Sequence, residues 1–305
     1  MIQFVANSIL RRPNADSHTK VAELFATNSE ITIDILCFYR GPVAGFSTLL
    51  KYVDTPIDML SDKVRCQIAT EAARKSPFCS PGVFLAALGC SPNSLSGLVY
   101  EARDGRRQTL LHAVLNAVGN MIECDGIKNI YPFLTQPERY KEYILGWKAI
   151  THDLLVGGAD LHAISDTYTT IYIQPRGIKE EYPQKLLTPL LSIFHSCHQL
   201  QWTRRQPSIM HRALKWWIQT LYEANFDLMD YGVKEKAVWD KMEVARECIY
   251  YIGRSHFWRR LIGFSYGPSP EDWVFGGNEP WAEYAGDFWL MLERKEEVMP
   301  GTWIE

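Results

Sequence analysis

The feature that most constrains the fold of this chain is a pattern that occurs twice. Each copy begins with a threonine and two leucines, as Thr-Leu-Leu within 109–114 and as Thr-Pro-Leu-Leu at 188–191. Each copy ends in an apolar run and a turn that carries Asp-Leu, at 158–161 and 225–228. Threonine is a preferred N-cap, and Pro189 suits the first helical position because its missing N–H would have no helical partner there. The pattern therefore predicts two similar helix pairs.

The residues of the first copy have definite structural uses. The hydroxyl of Thr109 can cap the helix that follows, and His112, one turn further on, can bond the backbone of an adjoining turn. The small Ala113 allows a neighbouring helix to approach. After the second helix of the pair, Gly157 and Gly158 can supply the left-handed residue that ends it.

These motifs resemble the ankyrin repeat, whose inner helix opens with T-P-L-H-x-A and whose outer helix closes with L-L-x-x-G-A-D. The chain is similar to a group of large fungal ankyrin-repeat proteins with divergent repeats and a tryptophan-rich tail. Segment 227–235 matches the stretch that follows their last outer helix, and segment 260–273 matches part of their tail. The resemblance covers roughly residues 60–275. It implies an all-α, ankyrin-like helical solenoid of degenerate repeats with insertions and a C-terminal helical cap, and it implies no catalytic residues. The repeat-motif residues are Thr109, His112, Ala113, Gly158, Ala159, Asp160, Thr188, Pro189 and Asp227.

The repeats depart from the ankyrin pattern in two ways. Leu110 stands where the motif has proline, and Leu191 stands where it has histidine. An ankyrin repeat also spans about 33 residues, whereas both copies carry long inserted segments between their inner and outer helices.

The resemblance and the helical periodicity together predict the domain organisation. Residues 1–60 form a poorly defined N-terminal helical flank, in which 31–36 fits a short strand and a helix equally well. Residues 61–232 form the repeat region, with its clearest copies at 104–163 and 187–230 and with further helices expected at 61–75 and 82–89. Residues 233–305 form a tryptophan-rich tail that opens with the longest helix, expected over 233–253 as the C-terminal cap. Phe264, Tyr266 and Trp273 of the tail are expected to pack back on the repeat stack.

Composition excludes several classes of protein. The chain has 305 residues, 47% of them hydrophobic, with a formal net charge of -3, which does not suit a protein whose main partner is nucleic acid or an anionic membrane. Its seven cysteines are scattered and form no C-x-x-C pair, so reduced thiols and a cytoplasmic or nuclear location are expected. No run of about 18 apolar residues is present to span a membrane.

The stretch G-F-S-Y-G at 263–267 matches the G-x-S-x-G pattern of a serine nucleophile. Three features argue against a catalytic Ser265. Arg259 and Arg260 interrupt the strand that must precede such a serine, prolines after it disfavour the helix that must follow, and His256 is the last histidine of the chain. We therefore expect no catalytic residue and no enzymatic activity.

No metal or cofactor site is expected either. The densest group of soft ligands is His195, Cys197, His198 and His211, which lacks the second cysteine and the paired spacings of a zinc site. No glycine-rich phosphate-binding motif is present. Ordinary packing explains these side chains.

The expected function is that of a protein–protein interaction module or scaffold. Its partner-facing segments would be 104–113, 162–189 and 228–234, and an exposed Trp281 and Trp289 would be natural interface anchors. The alternative is a nucleic-acid-associated regulatory protein that uses the basic and aromatic segment 254–260. The possible partner-binding residues are His162, Asp166, Arg259 and Arg260.

Overall fold

The structure is a computed structural model of the chain. The residues that it describes are 36, 43–51, 56–74, 80–102, 105–125, 137–166, 171–173, 179–181, 186–197, 206–244, 246–252 and 255–277. The expectations for most of 1–42 and for all of 278–305, including Trp281 and Trp289, lie outside these residues.

Helices make up most of the described chain. Their bounds are α1 Val43–Leu50, α2 Asp62–Arg74, α3 Pro81–Leu88, α4 Leu110–Asp125, α5 Pro137–Val156, α6 Pro189–Ser196, α7 Gln206–Glu223 and α8 Leu228–Lys241. Short 3₁₀ turns lie at Ile57–Met59, Pro92–Leu95 and Pro270–Asp272.

Short strands connect and follow the helices. Their bounds are β1 Val99–Glu101, β2 Arg107–Thr109, β3 Ser165–Asp166, β4 Ile171–Ile173, β5 Lys179–Glu181, β6 Leu186–Leu187, β7 Glu247–Ile252, β8 Ser255–Ser265 and β9 Val274–Gly277. The antiparallel pairs are β1–β2, β3–β6 and β4–β5, and β7, β8 and β9 form a three-stranded antiparallel sheet with β8 in the centre.

The prediction of an all-α, ankyrin-like solenoid is wrong. The described residues form a mixed structure of helices and small antiparallel sheets, and no regular solenoid is formed. The inserted segment after α5 carries four short strands, and the region after α8 carries three more. These segments are rich in β-branched and aromatic residues, which favour a half-buried pleated surface.

The predicted C-terminal helical cap over 233–253 is also wrong. The helix in this region is α8, which begins earlier and ends at Lys241, and Met242 already has extended backbone angles. Strand β7 follows, with the sequence Glu-Cys-Ile-Tyr-Tyr-Ile. The apolar stripe through Val238, Met242 and Ile249 spans a helix and a strand, so helical spacing alone misassigned it. The longest helix among the described residues is α5, with 20 residues.

The helices expected over 61–75 and 82–89 are present as α2 and α3. Ser80 caps α3 by accepting a hydrogen bond from the backbone N–H of Gly82. Gly89 ends the helix in the left-handed conformation, with φ of 67°. Helix α3 is therefore capped at both ends.

The core lies around α4, which packs against α2, α5, α6 and α7. Its closest neighbour is α6, because a Cβ built on Gly119 would lie 2.7 Å from the carbonyl oxygen of Ile193. The thiol of Cys197 donates a hydrogen bond to the carbonyl of Gly119. The largest fully buried side chains are aromatic, among them Trp147, Trp217 and Trp273.

Candidate functional site

His112 is a buried connector between three parts of the chain. Its Nδ1 atom accepts hydrogen bonds from the hydroxyl of Thr109 (2.8 Å) and from the backbone N–H of Thr109 (3.3 Å). Its Nε2 atom donates to the carbonyl oxygens of Ala163 and Leu187, each at 3.2 Å. The start of α4 is thus tied to the loop after α5 and to strand β6.

This arrangement requires a neutral imidazole, since Nδ1 acts as an acceptor while Nε2 carries the proton. Burial lowers the pKa of His112 to about 4, because desolvation disfavours the charged form. His112 and Thr109 are 2% and 4% exposed. The contacts described for His112 and Thr109 are internal to the fold. Both residues therefore have a structural role, which is to hold neighbouring parts of the chain together.

The turn that closes the first helix pair forms as the motif predicts. Gly158 has φ of 80°, and the N–H of Ala159 donates to the carbonyl of Leu154. The side chain of Asp160 accepts a hydrogen bond from the backbone N–H of His162. Ala159 is buried and Ala113 is buried within α4. These motif residues therefore position His162 at a defined point beside the helices.

The second copy of the pattern begins and ends with side-chain caps. Thr188 caps α6 by accepting from the N–H of Leu191, and Pro189 occupies the first helical position. Asp227 caps α8 by accepting from the backbone N–H groups of Met229 and Asp230. The positive end of the helix dipole also stabilises a negatively charged aspartate at this position.

A buried carboxylate that the sequence did not single out joins these elements. The Glu235 side chain is fully buried and accepts hydrogen bonds from the Thr188 hydroxyl, from the Trp239 indole at 3.1 Å and from His162 Nδ1 at 2.9 Å. Tyr231, Glu235 and Trp239 recur every fourth residue along one face of α8. That spacing was the available signal, but an isolated glutamate on a helix is ordinarily solvated.

The His162 ring is held on a second side by an aromatic neighbour. It stacks on Tyr231 with 5.1 Å between ring centroids, and the Tyr231 hydroxyl accepts a hydrogen bond from the Trp217 indole at 2.9 Å. Burial, with a further contribution from Glu235, raises the pKa of Tyr231 well above its ordinary value. His162 therefore links the loop after α5 to α8, and its role in contacting a partner stays a prediction.

The other possible partner-binding residues are not brought together with His162 into one described site. Asp166 is half-buried at the end of β3, where it pairs with Leu186 of β6. Arg259 and Arg260 lie in β8, opposite Cys248 and Glu247 of β7. Arg260 is exposed, whereas the side chains of the rest of segment 254–260 lie outside the described residues.

Ser265 lies at the end of β8, in register with Val274 of β9. The expectation that Arg259 and Arg260 prevent a strand before this serine is wrong, because β8 runs through both. The segment after Ser265 turns, as its prolines predict, and reaches only a 3₁₀ turn at Pro270–Asp272. Phe264 and Trp273 pack back on α8, with ring centroids 4.8 Å from Trp239 and 5.6 Å from Tyr231.

No set of three or more histidine, cysteine or acidic side chains among the described residues is placed to hold a metal ion. His198 of the group singled out in the sequence lies outside those residues. Among the described cysteines, Cys66 and Cys90 are free thiols. Burial raises the pKa of Cys66 to about 12, which makes this thiol a poor nucleophile.

An open groove of about 400 Å³ lies between α5, α7 and the 3₁₀ turn that precedes β9. Its walls combine the ring of Trp216 with basic and polar side chains. The lining residues are Lys148, His211, Lys215, Trp216, Gln219, Thr220, Pro270 and Glu271.

The hydrogen bonds of Lys215 and an ion pair of Lys148 fix the positions of the two ammonium groups in the groove. Lys215 donates to the carbonyl oxygens of Pro270, at 3.1 Å, and of Trp273. These bonds tie α7 to the turn before β9. Lys148 of α5 forms an ion pair with Glu223 at the end of α7, and Lys148 lowers the pKa of that carboxyl group. Both contacts tie the walls of the groove together.

Exposed apolar side chains flank the groove. Leu145 stands one helical turn before Lys148 and is 55% exposed, and Tyr222 stands one turn after Gln219 and is 49% exposed. Side chains three residues apart on a helix share a face. Leu145 and Tyr222 therefore lie on the same helix faces as Lys148 and Gln219, beside the groove.

Comparison with known proteins adds no further assignment, since no family model, curated protein or solved structure matches the chain. Among the described residues, every helix is too short or too polar to cross a membrane.

Proposed function

We propose that this protein is a protein–protein interaction module whose docking surface is the groove between α5 and α7. The observation that carries the proposal is the contrast between two groups of residues. The polar residues of the repeated motif are engaged inside the fold, as the bonds of His112 and Thr188 show. The exposed Leu145 and Tyr222, by contrast, flank an open groove with an aromatic wall.

The chemistry of the groove indicates the kind of partner. Three of its lining side chains, Lys148, His211 and Lys215, are basic and one, Glu271, is acidic. Half-buried Trp216 offers the ring surface on which interface anchors commonly pack. A partner segment that carries carboxylates beside aromatic or aliphatic side chains fits this surface best.

The proposal does not depend on the ankyrin resemblance, because it rests on the surface of α5 and α7. It replaces the partner-facing segments expected from the repeats with a different face of the molecule. Interaction through a surface of this kind requires no catalytic group and no cofactor.

A photo-crosslinking experiment tests the proposal. A benzophenone amino acid is placed at Gln219, which is exposed and lines the groove, and at Met59 as a control, which is 74% exposed in a 3₁₀ turn of the N-terminal part. We expect a nuclease-treated extract to yield one specific crosslinked protein from Gln219 that Met59 does not yield. Identical products from both positions, or none from Gln219, would contradict the proposed surface.

A further inference from the structure

The groove's preferred ligand chemistry is present in the chain itself. Residues 278–292, which follow β9, have the sequence Asn-Glu-Pro-Trp-Ala-Glu-Tyr-Ala-Gly-Asp-Phe-Trp-Leu-Met-Leu. This segment contains three acidic residues, no lysine and no arginine. The acidic residues recur every fourth position, at Glu279, Glu283 and Asp287, and the aromatic residues between and beside them are Trp281, Tyr284, Phe288 and Trp289.

The chain passes the groove shortly before the segment begins. Lys215, which lines the groove, bonds the carbonyl of Trp273, and β9 runs from Val274 to Gly277 immediately after it. Four residues of strand advance about 13 Å, and about four residues of extended chain can cover the same distance in return. The length of the segment therefore suffices for an intramolecular contact.

Charge favours the same pairing. Lys148, His211 and Lys215 line the groove, and carboxylates spaced along one short segment can approach several of these groups at once. The aromatic residues of the segment can pack on Trp216 and Pro270, which form the apolar wall. An attached segment also has a high effective concentration, so weak contacts suffice to hold it.

We propose that segment 278–292 occupies the groove between α5 and α7 and competes with the partner for it. This inference deepens the proposed function by adding a regulation of the same surface, and it rests on that function for its biological meaning. The contact itself is testable without any partner.

The test is zero-length carbodiimide crosslinking of the full chain, followed by peptide mass spectrometry. An equal mixture of ¹⁴N- and ¹⁵N-labelled protein separates contacts within one chain from contacts between two. The Lys148–Glu223 ion pair supplies an internal positive control, since these side chains are already in contact. We expect crosslinks from Lys148 or Lys215 to Glu279, Glu283 or Asp287, all within single chains.

Matched charge reversals sharpen the test. Replacing Glu279 and Asp287 together by lysine keeps Glu283 as a crosslinkable carboxylate, and it should reduce the crosslinks of Lys148 and Lys215 to Glu283 about tenfold or more by replacing attraction with repulsion. Reversing Glu293, Glu296 and Glu297 should leave them within about twofold, because these residues lie beyond the proposed contact. The Lys148–Glu223 crosslink should persist in both variants.

Three results would overturn the inference. The first is the absence of groove-to-segment crosslinks when the Lys148–Glu223 crosslink forms. The second is a set of crosslinks of mixed isotope composition only, which indicates a second copy in the groove, and the third is an equal loss of crosslinks in the two charge-reversed variants. A groove that crosslinks a partner at Gln219 without contacting 278–292 would refute this inference and leave the proposed function standing.

Discussion

At the scale of single residues, His112 and Glu235 show how buried polar groups connect distant parts of this chain. Each is buried, and each makes at least three hydrogen bonds, two of them to elements far away in the sequence. Removing one member of such a network is destabilising because the remaining groups stay buried without partners. Substitution of His112 or of Glu235 should therefore lower the stability of the fold much more than substitution of a surface residue.

The free energy of unfolding should decrease as pH is lowered, because His112 is buried in its neutral form. The unfolded imidazole titrates near 6.5, whereas the folded imidazole stays neutral down to its pKa of about 4. The contribution is fully present above pH 6.5 and is lost as pH falls towards 4. Across this window the unfolded state binds one proton more than the folded state, which corresponds to about 3 kcal/mol.

Urea unfolding of the wild type and of His112→Gln between pH 4 and pH 7 measures this effect. The difference in unfolding free energy between the two proteins should shrink by about 3 kcal/mol as pH falls from 7 to 4. Parallel pH profiles would show that His112 does not titrate as proposed.

Glu235→Ala should destabilise the fold by about 3 to 5 kcal/mol, because it leaves the donors of Thr188, His162 and Trp239 without an acceptor. Asp240→Ala is the matched control on the same helix, since Asp240 is exposed and its ion pair with Lys236 is long, at 4.0 Å. It should change stability by less than about 0.5 kcal/mol. Equal effects of the two substitutions in urea unfolding would rule out the buried network.

At the scale of elements, the contact between α4 and α6 depends on a residue without a side chain. A Cβ on Gly119 would lie 2.7 Å from the Ile193 carbonyl and would overlap the Ser196 hydroxyl. Helix propensity alone predicts that Gly119→Ala stabilises α4 by about 1 kcal/mol. Because backbone must move to admit the methyl group, we expect instead a loss of about 1 to 3 kcal/mol in thermal or urea unfolding. A rise in stability would show that the two helices are further apart.

Elements also show which sequence signals were reliable. Thr188 and Pro189 placed the start of α6 correctly, because a cap acts within one turn of the chain and needs no distant partner. The region after α8 was assigned wrongly, since β7 and β8 are stabilised by pairing with each other. Gly253, between two runs rich in isoleucine, tyrosine and phenylalanine, was the hairpin signal that helical periodicity obscured.

At the scale of the whole molecule, recurring local motifs did not imply a recurring architecture. The bonds of His112 and Thr188 form as the motif predicts, but the strands between the copies and after α8 break the repetition. The groove could not be predicted from sequence, because Lys148, Lys215 and Pro270 belong to segments far apart in the chain. Only the packing of α5, α7 and the turn before β9 brings them together.

The central claim is that the partner binds in this groove, and the affinity of the partner for groove variants tests it most directly. The partner captured at Gln219 is titrated by calorimetry against two variants of the full chain. One carries Leu145→Glu and Tyr222→Glu beside the groove, and the other carries Met59→Glu and Val99→Glu as matched exposed controls. Carboxylates beside the groove should weaken binding at least about tenfold, and the controls should stay within about twofold. Unchanged affinity in the groove variant, or an equal loss in the control, would contradict the claim.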